Sequence, residues 1–87
     1  MTRDFEEKVE LLRRYERRVY AICLYILGDE RRALRASEEA LIDLFAAPAF
    51  AAGSATARSR LSQAAAVRYA RTHIFEERGF SNARAHG

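Results

Sequence analysis

Four arginines stand at spacings that suit an anionic partner: Arg60, Arg68, Arg71 and Arg78. On a helix turning 100° per residue they fall within about 80° of one another and form a single row. Guanidinium groups in such a row neutralise phosphates, and an aromatic ring among them stacks on an unpaired base. Arg58 and Tyr69 lie in the same stretch, so Arg58, Arg60, Arg68, Tyr69 and Arg71 are the candidate DNA-binding residues. No acid interrupts residues 44–75, and nothing there opposes a polyanion. A solvated helix face is the plainer account of the same row, and Tyr69 equally suits the edge of a core; both readings stay open here.

Other chemistry finds little support. A metal site needs several ligands at helical or hairpin spacing, whereas Cys23, His73 and His86 fall one to each distant segment. Neighbours in a helix point about 100° apart, so neither Glu38-Glu39 nor Glu76-Glu77 forms a carboxylate pair. No local motif joins a Ser or Cys nucleophile to a base and an orienting acid. The four glycines are scattered, so no phosphate-cradling loop is present. The expectation is a protein that is not an enzyme, with no metal and no cofactor, acting through its surfaces.

The elements that must position these surfaces read as helices throughout. Phe5, Val9, Leu12, Tyr15, Val19, Ile22, Cys23, Ile26 and Leu27 recur in steps of three and four, predicting a first helix over 5–27 with Asp4 as N-cap and Gly28 at C′. Tyr20, Leu24 and Tyr25 widen its apolar face near the end, predicting burial from two sides. Asp29 caps a second helix over 30–46, with Ala33, Ala36, Ala40, Leu41, Leu44 and Phe45 as its stripe, ending before Pro48. Residues 46–55 read as a loop anchored by Phe50. Ser54 or Thr56 then caps a third helix over 55–78, with Leu61, Ala64, Val67, Ala70 and Ile74 inward and Gly79 as its stop. The expected fold is all-α, a small three-helix bundle over 1–79 with a flexible tail at 80–87.

Composition sets the frame for that fold. At 87 residues and 9.9 kDa, 49% hydrophobic, the chain makes one small domain, which excludes a two-domain enzyme and argues against disorder. Such a domain buries only roughly 60–65% of the surface its unfolded chain exposes, so its stability is expected to be marginal unless a partner or second copy covers part of it. Arg supplies fourteen of fifteen basic residues in a net charge of +3, with +1 on residues 1–28, −2 on 29–46 and +4 on 47–87. The positive excess therefore sits on the predicted third helix. Cys23 is alone, which excludes a disulfide framework and suggests a reducing cytoplasm. The amino terminus is charged from its third residue, and the longest apolar run, Val19–Leu27, is far short of the about twenty residues a spanning helix needs. A protein neither exported nor membrane-embedded is expected.

Three segments follow one another in order: Leu12-Arg-Arg-Tyr-Glu-Arg-Arg-Val-Tyr20, Leu27-Gly-Asp-Glu-Arg-Arg-Ala33 and Glu38-Glu-Ala-Leu-Ile-Asp-Leu-Phe45. Together they resemble region two of bacterial sigma factors of the extracytoplasmic-function (ECF) group. Tyr15, Val19 and Tyr20 match that family's Tyr-x-x-x-Val-Tyr stretch, Leu27, Gly28 and Asp29 its Leu-Gly-Asp turn, and Glu39, Ala40, Leu44 and Phe45 its Gln-Glu-Ala-Phe-Leu-x-Leu-Trp run. The resemblance implies a second helix docking on the clamp helices of RNA polymerase core, here through Arg35, Glu38, Glu39 and Asp43. It implies a third helix that captures and melts single-stranded promoter DNA in transcription initiation. The chain departs from the pattern at Arg35, where the family carries an acid, at Glu38, where it carries Gln, and in Arg58-Ser-Arg60-Leu61, where its Arg-x-Trp-Leu signature has Trp. No helix-turn-helix region follows within the 87 residues. The expected function is a stand-alone region-two-like protein, a split co-sigma subunit or a regulator of initiation. The alternative is a sigma-like interaction module, a homodimer or a decoy for an anti-sigma-type protein, without initiation activity.

Overall fold

The computed structural model describes the backbone of residues 2–86 and the side chains of residues 4–74. Among these the structure is all-α, with no strand: α1 (Thr2–Leu27), α2 (Glu30–Ala46), α3 (Pro48–Ala52) and α4 (Ala55–His86). The three long helices pack pairwise, each against both others, and α3 bridges α2 to α4.

Turn chemistry places the helices. Gly28 takes φ +66° and donates its N–H to the Leu24 carbonyl at 2.7 Å, closing α1 with the left-handed residue that glycine adopts without a side-chain clash. Asp29 then accepts from the Arg32 N–H at 2.9 Å as N-cap of α2. Two residues between helices make α1 and α2 an antiparallel pair. Pro48 disfavours a helical conformation at the residue before it, so Ala47 is extended (ψ 117°) and α2 ends at Ala46. Ser54 caps α4, its Oγ accepting from Ala57 N–H at 3.2 Å.

Several boundaries differ from the sequence expectation. α1 begins at Thr2, so Asp4 lies inside the first turn and is not the N-cap; no Pro or Gly upstream stops the helix. The expected loop at 46–55 contains α3, because the proline that ends α2 also has the φ of a first helical residue. Gly79 does not end α4, which runs on to His86; a lone interior glycine costs a helix only about 1 kcal/mol. The expected tail at 80–87 falls outside the residues whose side chains are described.

The core is made of small side chains. Among the described residues, six of the ten buried hydrophobics are alanines, Ala33, Ala36, Ala40, Ala65, Ala66 and Ala70, and the others are Val19, Cys23, Leu44 and Phe50. Small residues at facing positions let helix axes approach toward the short end of the about 8–10 Å packing range. Phe50, the largest fully buried side chain, plugs the space under α3, its ring edge-on to Tyr15 at 5.4 Å between centroids. Toward the other end of α1, Tyr20 and Leu24 are half-buried and pack against the core, as a widened face predicts, whereas Tyr25 is 90% exposed. Tyr25 points about 120° away from buried Val19 and about 160° from buried Cys23, off the faces that α2 and α4 cover.

α4 turns a different face inward from the one its larger aliphatics suggest. Ser62, Ala65, Ala66 and Ala70 are buried, whereas Ala64 is exposed and Val67 only half-buried. Alanine gives almost no periodic signal, and the close seam with α1 and α2 selects small side chains over Val67. Ser62 carries a defect in that seam: its Oγ is buried without a hydrogen-bond partner. An unpaired buried hydroxyl costs roughly 1–3 kcal/mol. Ser62→Ala should therefore raise stability by about 1 kcal/mol, read as a higher urea midpoint at unchanged slope. A lower midpoint would mean that the hydroxyl is satisfied in solution.

Candidate nucleic-acid and protein docking surfaces

With Ser62, Ala66 and Ala70 inward, helical geometry sends the arginine row almost directly outward. Arg60 and Arg71 lie within about 20° of one another and about 160° or more from Ser62, and Arg68 flanks them. All three are exposed. None forms an ion pair with a described residue; Arg68 lies with its guanidinium 5.7 Å from the Tyr69 ring centroid. Gln63, Ala64, Val67 and Thr72 share this face, and the row borders an open surface region of ≈ 980 Å³. The result is a cationic ridge with a narrow apolar strip along it.

Arg58 and Tyr69 stand apart from the ridge. Arg58 Nε donates to the Phe50 carbonyl at 3.0 Å and Nη2 to the Ala51 carbonyl at 3.1 Å. A cation thus closes the carbonyl end of α3 and ties it to α4. Tyr69 is half-buried and packs against the core about 180° from Arg60, its ring meeting the ridge at Arg68, so among the described residues the ridge presents no free aromatic ring. The side chain of Arg78, the fourth member of the expected row, lies outside the described residues.

On α2 the four residues expected to face polymerase divide. Arg35 and Glu38 are exposed on the outward side, and Asp43 is half-buried. Glu39 is engaged with α4: its Oε1 lies 2.6 Å from His73 Nε2. That contact also fixes His73, whose role the sequence does not reveal. Two apolar residues missed by the stripe reading stand out instead, Leu34 at 53% and Ile42 at 69% exposure. Both fall off the Ala33-Ala36-Ala40-Leu44 stripe by helical angle, which is the signal that would have found them. A further cationic cluster, Arg13, Arg14, Arg17 and Arg18, is exposed along α1.

Cys23 is fully buried, and its thiol points toward the Ala66 carbonyl at 3.6 Å, linking α1 to α4. Burial pushes this thiol above its ordinary pKa of 9.0, because the thiolate is poorly solvated there. The folded state therefore holds the proton more tightly than the unfolded one. The associated stability is fully present below pH 9.0 and is lost as pH rises past it. Two measurements follow: the thiol should react with a thiol reagent only as fast as the chain opens, and Cys23→Ala should flatten the alkaline fall in stability. Rapid labelling of the native protein would contradict this placement. Among the described residues no group of three or more His, Cys, Asp or Glu side chains is arranged to hold a metal ion. Likewise, no described helix is long and apolar enough to cross a membrane.

Comparison with known proteins returns no match, whether with family models, curated proteins or solved structures.

Proposed function

We infer that this chain is a region-two-like transcription protein that docks on RNA polymerase core through the outward side of α2 and takes promoter DNA on the ridge of α4. It acts as a split co-sigma subunit or a regulator of initiation, and no catalytic role is proposed. The observation that carries this reading is the exposure of Arg60, Arg68 and Arg71 on a face turned away from the core. Unpaired guanidinium groups held in register on a rigid helix suit phosphate contact, which supplies affinity without reading sequence. The docking side of α2 carries the mixed charges of Arg35 and Glu38, so polymerase and DNA would meet separate helices.

Retention of the chain by purified polymerase core tests the docking. Wild type should be retained, and Arg35→Ala combined with Glu38→Ala should reduce retention at least about tenfold, as expected when polar contacts at an interface are lost. No retention, or retention indifferent to the double change, overturns it.

The exposure of Leu34 and Ile42 favours a second reading, an interaction module that dimerises or engages an anti-sigma-type protein. Light scattering after size exclusion separates the two. A dimer dissociated by Ile42→Asp, together with no polymerase retention, would favour the module.

A further inference from the structure

An open groove of ≈ 470 Å³ runs between α1 and α2, away from the α4 ridge. Tyr20, Leu34 and Leu41 give it an apolar lining, and Arg13, Arg14 and Arg17 line it from the α1 side. Leu34 is 53% exposed although its neighbour Ala33 is fully buried, so a leucine of α2 serves the groove and not the core. The three arginines are exposed, and none pairs with a described residue.

The geometry points to an amphipathic helix of a partner protein, acidic along one flank, as the occupant of this groove. Both walls are helices whose backbone groups are bonded internally, so no free edge exists to which an extended strand could add. A helix brings its own backbone already satisfied and offers only side chains. From Arg13 to Tyr20 the wall rises about 10 Å, two helical turns, which matches anchors at i, i+3 or i+4, and i+7. Acids on one flank of the ligand would meet Arg13, Arg14 and Arg17, while its apolar anchors cover Leu34 and Leu41. Glu16 and Glu38 also line the groove and repel a uniform polyanion, which sets the surface apart from the ridge of α4. This proposal does not depend on the DNA or polymerase reading; it shares only Glu38 with the latter.

A display library of helical peptides with randomised surface positions, selected on the full chain, provides the probe. Enriched peptides should combine Leu, Ile or Met at the anchor spacing with Asp or Glu on one flank. Their binding should fall about tenfold in Arg13→Glu with Arg17→Glu, and similarly in Leu34→Asp. Arg60→Ala with Arg71→Ala, and Arg35→Glu alone, should leave it unchanged. Amide shifts of the labelled wild-type chain on adding a selected peptide should fall within residues 13–20 and 34–41, and this reading holds even where a variant fails to fold. Lack of enrichment, enrichment of peptides without the acidic flank, shifts centred on α4, or displacement of the peptide by a short oligonucleotide would each overturn the proposal.

Discussion

Phe50→Ala is expected to cost about 3–5 kcal/mol, the usual range for emptying a buried aromatic site. Total stability for a chain of this length is roughly 4–13 kcal/mol, so the loss is a large share of it. Three features put the cost toward the upper end. Phe50 is the largest fully buried side chain in a core otherwise dominated by alanine, and its loss also removes the edge-on contact with Tyr15. It is the buried residue of α3, a helix of five residues with no other interior hold on the bundle. Its backbone carbonyl also receives Arg58, so the ring holds in place the turn on which that guanidinium closes. Urea unfolding followed by circular dichroism measures the effect. Phe50→Leu, which keeps most of the volume, should cost less than about 1.5 kcal/mol. Equal midpoints for wild type and Phe50→Ala would mean that α3 does not contribute to the fold.

Replacing Arg60, Arg68 and Arg71 together by alanine should remove the share of the salt dependence of DNA binding that these three side chains supply. Three phosphate contacts give a slope of about −2 in log affinity against log salt on single strands and about −2.7 on duplex. Raising salt from about 50 to about 200 mM should then weaken wild-type binding roughly 20- to 40-fold through these three contacts, a response the triple variant loses. The three positions are exposed and make no contact with the core, so the variant should keep the wild-type unfolding midpoint. Arg58 is best left unchanged, because its bonds to Phe50 and Ala51 would mix a folding effect into the readout. A slope that survives the triple change would place the phosphates elsewhere, with the α1 arginines the first place to look.

Punctuation made much of this fold legible. Gly28-Asp29, Pro48 and Ser54 each act through a local backbone rule, and the structure places a turn, a helix end and a cap at those residues. The rotation of α4 was not legible, because its interior face is built from alanine and serine. Alanine occupies core and surface almost equally well, and the partner helices decide which. Val67 and Ala64, inward by size, turn out to flank the arginines. α3 escaped notice because five residues hold too few turns to show a period. At the candidate surfaces, the arginine row could be found from spacing alone. The engagement of Arg58 by α3 carbonyls and of Glu39 by His73 could not, since both depend on how helices come together. Leu34 and Ile42 were legible from helical angle, since both fall off the α2 stripe, but the expectation followed the stripe and not the apolar residues outside it.

The alanine seam makes tolerance to substitution one-sided. At Ala65, Ala66 and Ala70 a shrink to glycine removes a single methyl, whereas growth to valine or leucine drives a wedge between rods that already touch. In a saturation scan these sites should lose about 1 kcal/mol to glycine and more to valine or leucine, the reverse of the pattern at Phe50, where every trimming hurts.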